Sequence, residues 1–145
     1  MSTTMMQQEL ALDKEIDDRL NELLKQMQKL LDGSRIWESS MEVNQIQNLL
    51  AVAMETDSVE VVKNYIRYQI GRDNKSASWR KGVGNRLTFG DQIVDELDRL
   101  HGIALTIVPA NSDQHFIDRA WMKLTRLYLG HLRRYFYYKK RSKED

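Results

Sequence analysis

The chain has 145 residues, 41% hydrophobic and 30% charged, with one proline, no cysteine and a formal net charge of +1. The missing cysteine excludes disulfides and thiolate metal sites, and no apolar run approaches the roughly 20 residues that span a bilayer. A lone proline favours long unbroken helices, and the polar start from Met1 to Glu9 does not read as a signal peptide, so residues 1–145 read as a single all-α cytoplasmic domain with no membrane partner.

The small net charge hides a strong segregation. Residues 1–62 carry a net −7, residues 63–86 carry +6, residues 87–118 carry −5 and residues 119–145 carry +7. Alternating blocks of this kind suggest a polyanion-binding face built from both basic segments. They also suggest protomers that meet acidic surface to basic surface.

In chain order, residues 1–33 read as an acidic N-terminal amphipathic helix, regular over Gln7–Asp32. Ile16, Leu20, Leu23, Met27 and Leu30 alternate spacings of four and three, the period of one buried stripe, and Gly33 suits a left-handed C-cap. Residues 40–140 form the helical core. Ser39 or Ser40 caps a helix over about Met41–Glu55, whose apolar face is Ile46, Leu49, Leu50 and Ala53. Asp57 caps the next, which carries Val59, Val62, Ile66 and Ile70 and ends at Gly71.

Residues 73–87 lack a clear period and read as a basic loop. Thr88-x-x-Asp91 then opens a helix as a capping box, with Ile93, Val94, Leu97 and Leu100 inside and Gly102 at its end. Ile103–Val108 is ambiguous between helix and extended chain until Pro109 stops it. Ser112 caps the last helix, from Asp113 to about Lys140. The expected architecture is a compact bundle of about five helices with a long first and a long last member.

The last helix carries the sharpest signal. At 100° per residue, Arg119, Lys123, Arg126, Arg133, Arg134 and Arg141 fall within an arc of about 100°, with Gly130 and Tyr137 among them. Trp121, Leu124, Tyr128, Leu132, Tyr135 and Phe136 lie opposite, on the core side. One reading is a cationic rail for a phosphate backbone. The other is a solvated helix face whose cations favour the C-terminal dipole. On the first reading the RNA-contacting residues are Arg67, Arg72, Lys75, Arg80, Lys81 and Arg86 from the first basic block, and Arg119, Lys123, Arg126, Arg133, Arg134 and Tyr137 from the helix. Charge reversal at an exposed Arg126 or Arg133 should then weaken RNA binding and leave melting nearly unchanged.

Chemistry is harder to place. His101, His115 and His131 form no His-x-x-x-His pair, and Gly82-x-Gly84 lacks the further glycine and preceding strand of a dinucleotide loop. No catalytic set, metal or cofactor is expected. One motif competes: Arg126-Leu-Tyr-Leu-Gly-His131 resembles the Arg-x4-His motif of the helical HEPN ribonucleases. A core histidine with one hydrogen-bond partner is the plainer reading of His131.

Three stretches in order are similar to the Csm small subunits of type III-A and III-D CRISPR–Cas effector complexes. Asn44-Gln45-Ile46-Gln47-Asn48-Leu49-Leu50 resembles the start of that family's first conserved helix, with Gln47 where the family usually has a cation. Tyr68-Gln69-Ile70-Gly71-Arg72 resembles its Tyr-x-x-Gly-Arg segment, and Leu127-Tyr128-Leu129-Gly130-His131-Leu132-Arg133 its closing helix. The resemblance implies a non-catalytic subunit. Copies of itself would line up along the guide RNA–target RNA duplex, against backbone subunits and a large subunit, touching phosphate and ribose without reading sequence. The alternatives are a HEPN-type ribonuclease using Arg126 and His131, and a helical adaptor that binds only protein.

Overall fold

The periodic apolar residues produce five α-helices in the computed structural model, which describes residues 3–84 and 86–144, with the side chains of 3, 143 and 144 outside that description. They are α1 (Thr3–Ser34), α2 (Val43–Glu55), α3 (Val59–Arg72), α4 (Phe89–Ile107) and α5 (Gln114–Glu144). A 3-10 turn at Ile36–Glu38 links α1 to α2. A small antiparallel hairpin, β1 (Gly82–Gly84) and β2 (Leu87–Thr88), precedes α4. The result is an all-α bundle with long first and last helices.

Cross-helix contacts set the directions. Glu9 meets Arg119 near the N-terminal ends of α1 and α5, and Asp32 meets Tyr135 and Lys139 near their C-terminal ends, so the two long helices run parallel. Helix α2 runs against α5: Ala53 and Thr56 lie at Arg126, while Met41 lies at Lys140. Helices α3 and α4 are likewise antiparallel, with Lys63 at Asp98 and Ile70 at Gly90. One hydrophobic core draws on all five helices; Leu31, Ile46, Leu49, Ile66, Phe89, Leu97, Leu132 and Phe136 have no exposed surface. Two of its points are specific. The Trp121 indole N–H donates to the Leu97 carbonyl at 2.7 Å. A Cβ at Gly90 would fall 2.5 Å from Ile70 Cγ1, so the α3–α4 approach depends on the missing side chain.

The caps differ from the sequence reading because side chains nearby in space compete for the same backbone groups. Gly33 stays helical, and Arg35 takes the left-handed conformation at φ 52°. There the Ser34 hydroxyl bridges the Leu31 carbonyl and the Ile36 N–H. The Ser39 and Ser40 hydroxyls donate to the Ile36 and Ala77 carbonyls, so Glu42 caps α2 in a capping box with Gln45. Ser58, not Asp57, caps α3. Asp113, not Ser112, caps α5, accepting from the Phe116 N–H at 2.8 Å. The Thr88/Asp91 box forms as expected. Helix α4 runs through Gly102 and includes Ile103–Ile107, because Ala104 and Ile107 are buried.

Candidate nucleic-acid interface

One end of the bundle gathers the C-terminal ends of α1, α3 and α5, the N-terminal ends of α2 and α4, and the loop that follows α3. Hydrogen bonds tie these together. The Ser40 N–H and hydroxyl both donate to the Ala77 carbonyl of the loop, at 3.2 and 2.9 Å. On the same linker, the Lys140 ammonium donates to the Ser39 and Met41 carbonyls at 3.2 and 2.7 Å. The two basic blocks, residues 63–86 and 119–145, thus meet at the linker of residues 39–41 rather than along one helix face.

The loop between α3 and α4 is built on Asp73. Its carboxylate accepts the backbone N–H groups of Ala77, Ser78 and Arg80 at 3.4, 3.0 and 2.9 Å. Burial works to raise this carboxyl's pKa, but the backbone hydrogen bonds outweigh it and hold it below the ordinary value. Trp79, only 2% exposed, packs on Phe89 and anchors the loop to the core. The expected basic loop is therefore tied to the core over residues 73–80, and it leads into the hairpin. Arg72 at the end of α3, Lys75 and Arg80 in the loop, and Arg86 in the hairpin are exposed and Lys81 is half-exposed, with no acidic partner among the described residues. Arg67, five residues before Arg72 on α3, is also exposed and unpaired among them. Lys63, the first cation of that block, is instead buried against Asp98 and Glu60, at 2.7 and 3.2 Å.

The stripe on α5 is not one free rail, which corrects the sequence reading. Arg119 pairs with Glu9 of α1. Lys123 lies 2.7 Å from Glu9 and 2.7 Å from Asp13. Burial disfavours that ammonium, yet the hydrogen bonds to Asp13 and Glu9 raise its pKa above the usual value. Arg126 points at the C-terminal end of α2, donating to the Ala53 and Thr56 carbonyls at 2.9 Å each. Arg119 and Lys123 are engaged because the acidic α1 runs parallel to α5, and Arg126 because α2 ends beside it. No helical wheel contains either neighbour. Further along, Arg133 is half-buried and its Nε lacks a hydrogen-bond partner. Arg134, Tyr137 and Arg141 are exposed without an acidic partner among the described residues. Gly130 faces open space.

Arg126 and His131 are not brought to a common point by any contact among the described residues. They stand five positions apart, about 140° around a helix, and the arginine is held by α2. His131 is half-buried without a hydrogen-bond partner among those residues, unlike the bonded core histidine expected. Burial, then the Arg134 charge, lower its pKa. Among the described residues, no group of three His, Cys, Asp or Glu side chains is arranged to hold a metal ion. None of their helices is long and apolar enough to cross a membrane.

Sequence reasoning missed Asn48, Tyr65 and Gln69, which line a groove beside the basic loop. The spacing of Tyr65, Gln69 and Arg72 along one helix face could have found them. Comparison of the chain with protein-family models, curated proteins and solved structures finds no match.

Proposed function

We propose that this protein is a non-catalytic RNA-binding subunit, of the kind found as the small subunit of type III CRISPR–Cas effector complexes. The observation that carries the RNA-binding part is the cationic end of the bundle. There Arg72, Lys75, Arg80 and Arg86 stand exposed without acidic partners among the described residues, and the last turns of α5 share their supporting linker. Arginine and lysine without balancing acids suit a phosphate backbone, and a contact limited to phosphate ignores base sequence. The CRISPR assignment rests on the resemblance of residues 44–50, 68–72 and 127–133. Its partners would be guide and target RNA, copies of itself, and the backbone and large subunits.

The test is RNA binding across a salt series, with the charge reversals Arg80→Glu and Lys81→Glu. The expected result is a steep loss of affinity with salt, roughly −0.7 in log–log slope per phosphate contact on single strands. A shallower slope in the variants is expected with it. Absence of binding at low salt overturns the reading in favour of a protein-only adaptor. RNA cleavage that disappears in His131→Ala overturns it in favour of a ribonuclease.

A further inference from the structure

The basic loop also closes a groove of about 310 Å³ between α2 and α3. The volume is near the lower end of the roughly 300–1,000 Å³ range of small-molecule sites, suited to part of one nucleotide rather than a duplex. Its loop-side wall is already bonded. Gln45 accepts from the Glu42 N–H at 2.8 Å and donates to the Ser78 hydroxyl at 3.2 Å, and Asp73 is filled by loop N–H groups.

The facing residues keep their polar groups open. Asn48, Tyr65 and Gln69 have no side-chain hydrogen-bond partner among the described residues. Arg72 has no ion pair among them, and its guanidinium lies 5.7 Å from the centre of the Tyr68 ring. Tyr65, Gln69 and Arg72 stand at i, i+4 and i+7 on α3, one stripe along the groove. Tyr68 is not part of the groove lining; it is 62% exposed and adjoins the groove through its ring contact with Arg72.

We propose that this groove receives the base of an unpaired nucleotide, with Asn48 and Gln69 at the base edge, Tyr65 and Tyr68 as ring surfaces, and Arg72 at the phosphate. Each carboxamide offers both a donor and an acceptor, and turning it over exchanges them, so the pair can meet any base edge. Aromatic stacking is equally tolerant of base identity. Paired bases present no free Watson–Crick edge, which makes the site selective for single strands. This proposal rests on the RNA-binding reading above and directs it to unpaired RNA, in place of the paired guide–target duplex that the family resemblance implies.

The experiment measures binding of the full chain to three short labelled probes: a uridine single strand, the same backbone without bases, and a duplex. It compares the parent with Asn48→Ala/Gln69→Ala, with Tyr68→Ala, and with Arg80→Glu/Lys81→Glu. The expected result is that the parent prefers the base-bearing single strand. Tyr68→Ala should then lose roughly 5- to 150-fold on that probe alone, the scale of one base–aromatic stack, and the amide pair a similar amount, the scale of two hydrogen bonds, while the salt slope of each is unchanged. Tyr68 is exposed, so its variant keeps the test open if the amide pair fails to fold. Groove variants that bind all three probes like the parent overturn this proposal and leave RNA binding standing if the charge reversals still weaken it. No binding of any probe at low salt overturns both.

Discussion

The Arg126 guanidinium closes the C-terminal end of α2, its Nε donating to the Ala53 carbonyl at 2.9 Å. A residue placed by periodicity on an outward rail is therefore a helix cap. Carbonyls at a helix C-terminus have no partner within their own helix. Arg126→Ala should cost about 1–3 kcal/mol, the scale of lost hydrogen bonds to a charged group. Urea denaturation measures it; an unchanged midpoint would show that water replaces the guanidinium. This reverses the sequence expectation that the position is neutral for stability.

Neutralising α1 tests the engagement of Arg119 and Lys123. Glu9→Gln with Asp13→Asn releases both cations. RNA affinity should rise at low salt and its salt slope should steepen, by up to roughly 0.7 per added phosphate contact. Unchanged binding and slope would place the RNA away from the N-terminal half of α5.

Gly90→Ala should destabilise the fold by about 1–3 kcal/mol through overpacking against Ile70. Ile70→Ala creates room for the new methyl, so adding Gly90→Ala to that background should cost much less. A double-mutant cycle by thermal or urea unfolding measures the coupling, and strict additivity would rule out the contact as the cause.

Acid should loosen the basic loop. The Asp73 carboxyl has a folded pKa below its unfolded value. Its contribution is therefore present above the ordinary aspartate pKa, about 3.9, and is lost as pH falls through the depressed folded value. Amide protection at Ser78 and Arg80, corrected for the intrinsic exchange rate, should fall in that window. Asp73→Asn should remove most of this pH dependence. Protection that follows pH identically in both proteins would sink this explanation.

Local periodicity was enough to place the five helices to within their ends and most of their buried stripes, although Leu20 and Leu30 of α1 are half-buried while Leu12 and Leu31 are buried. A repeat of 3.6 residues fixes which side of a helix is apolar, and Ile46, Ile66, Leu97 and Leu132 are buried accordingly. The Thr88/Asp91 cap was legible for the same reason, since its two partners are three residues apart. The fate of the polar groups needed the assembled fold. Lys123 meets Glu9 and Asp13 across 114 and 110 residues of chain, and Arg126 meets Ala53 across 73. Charge and hydrogen bonding act through space, so whether a cation stays free or becomes a cap depends on which distant segment folds against it.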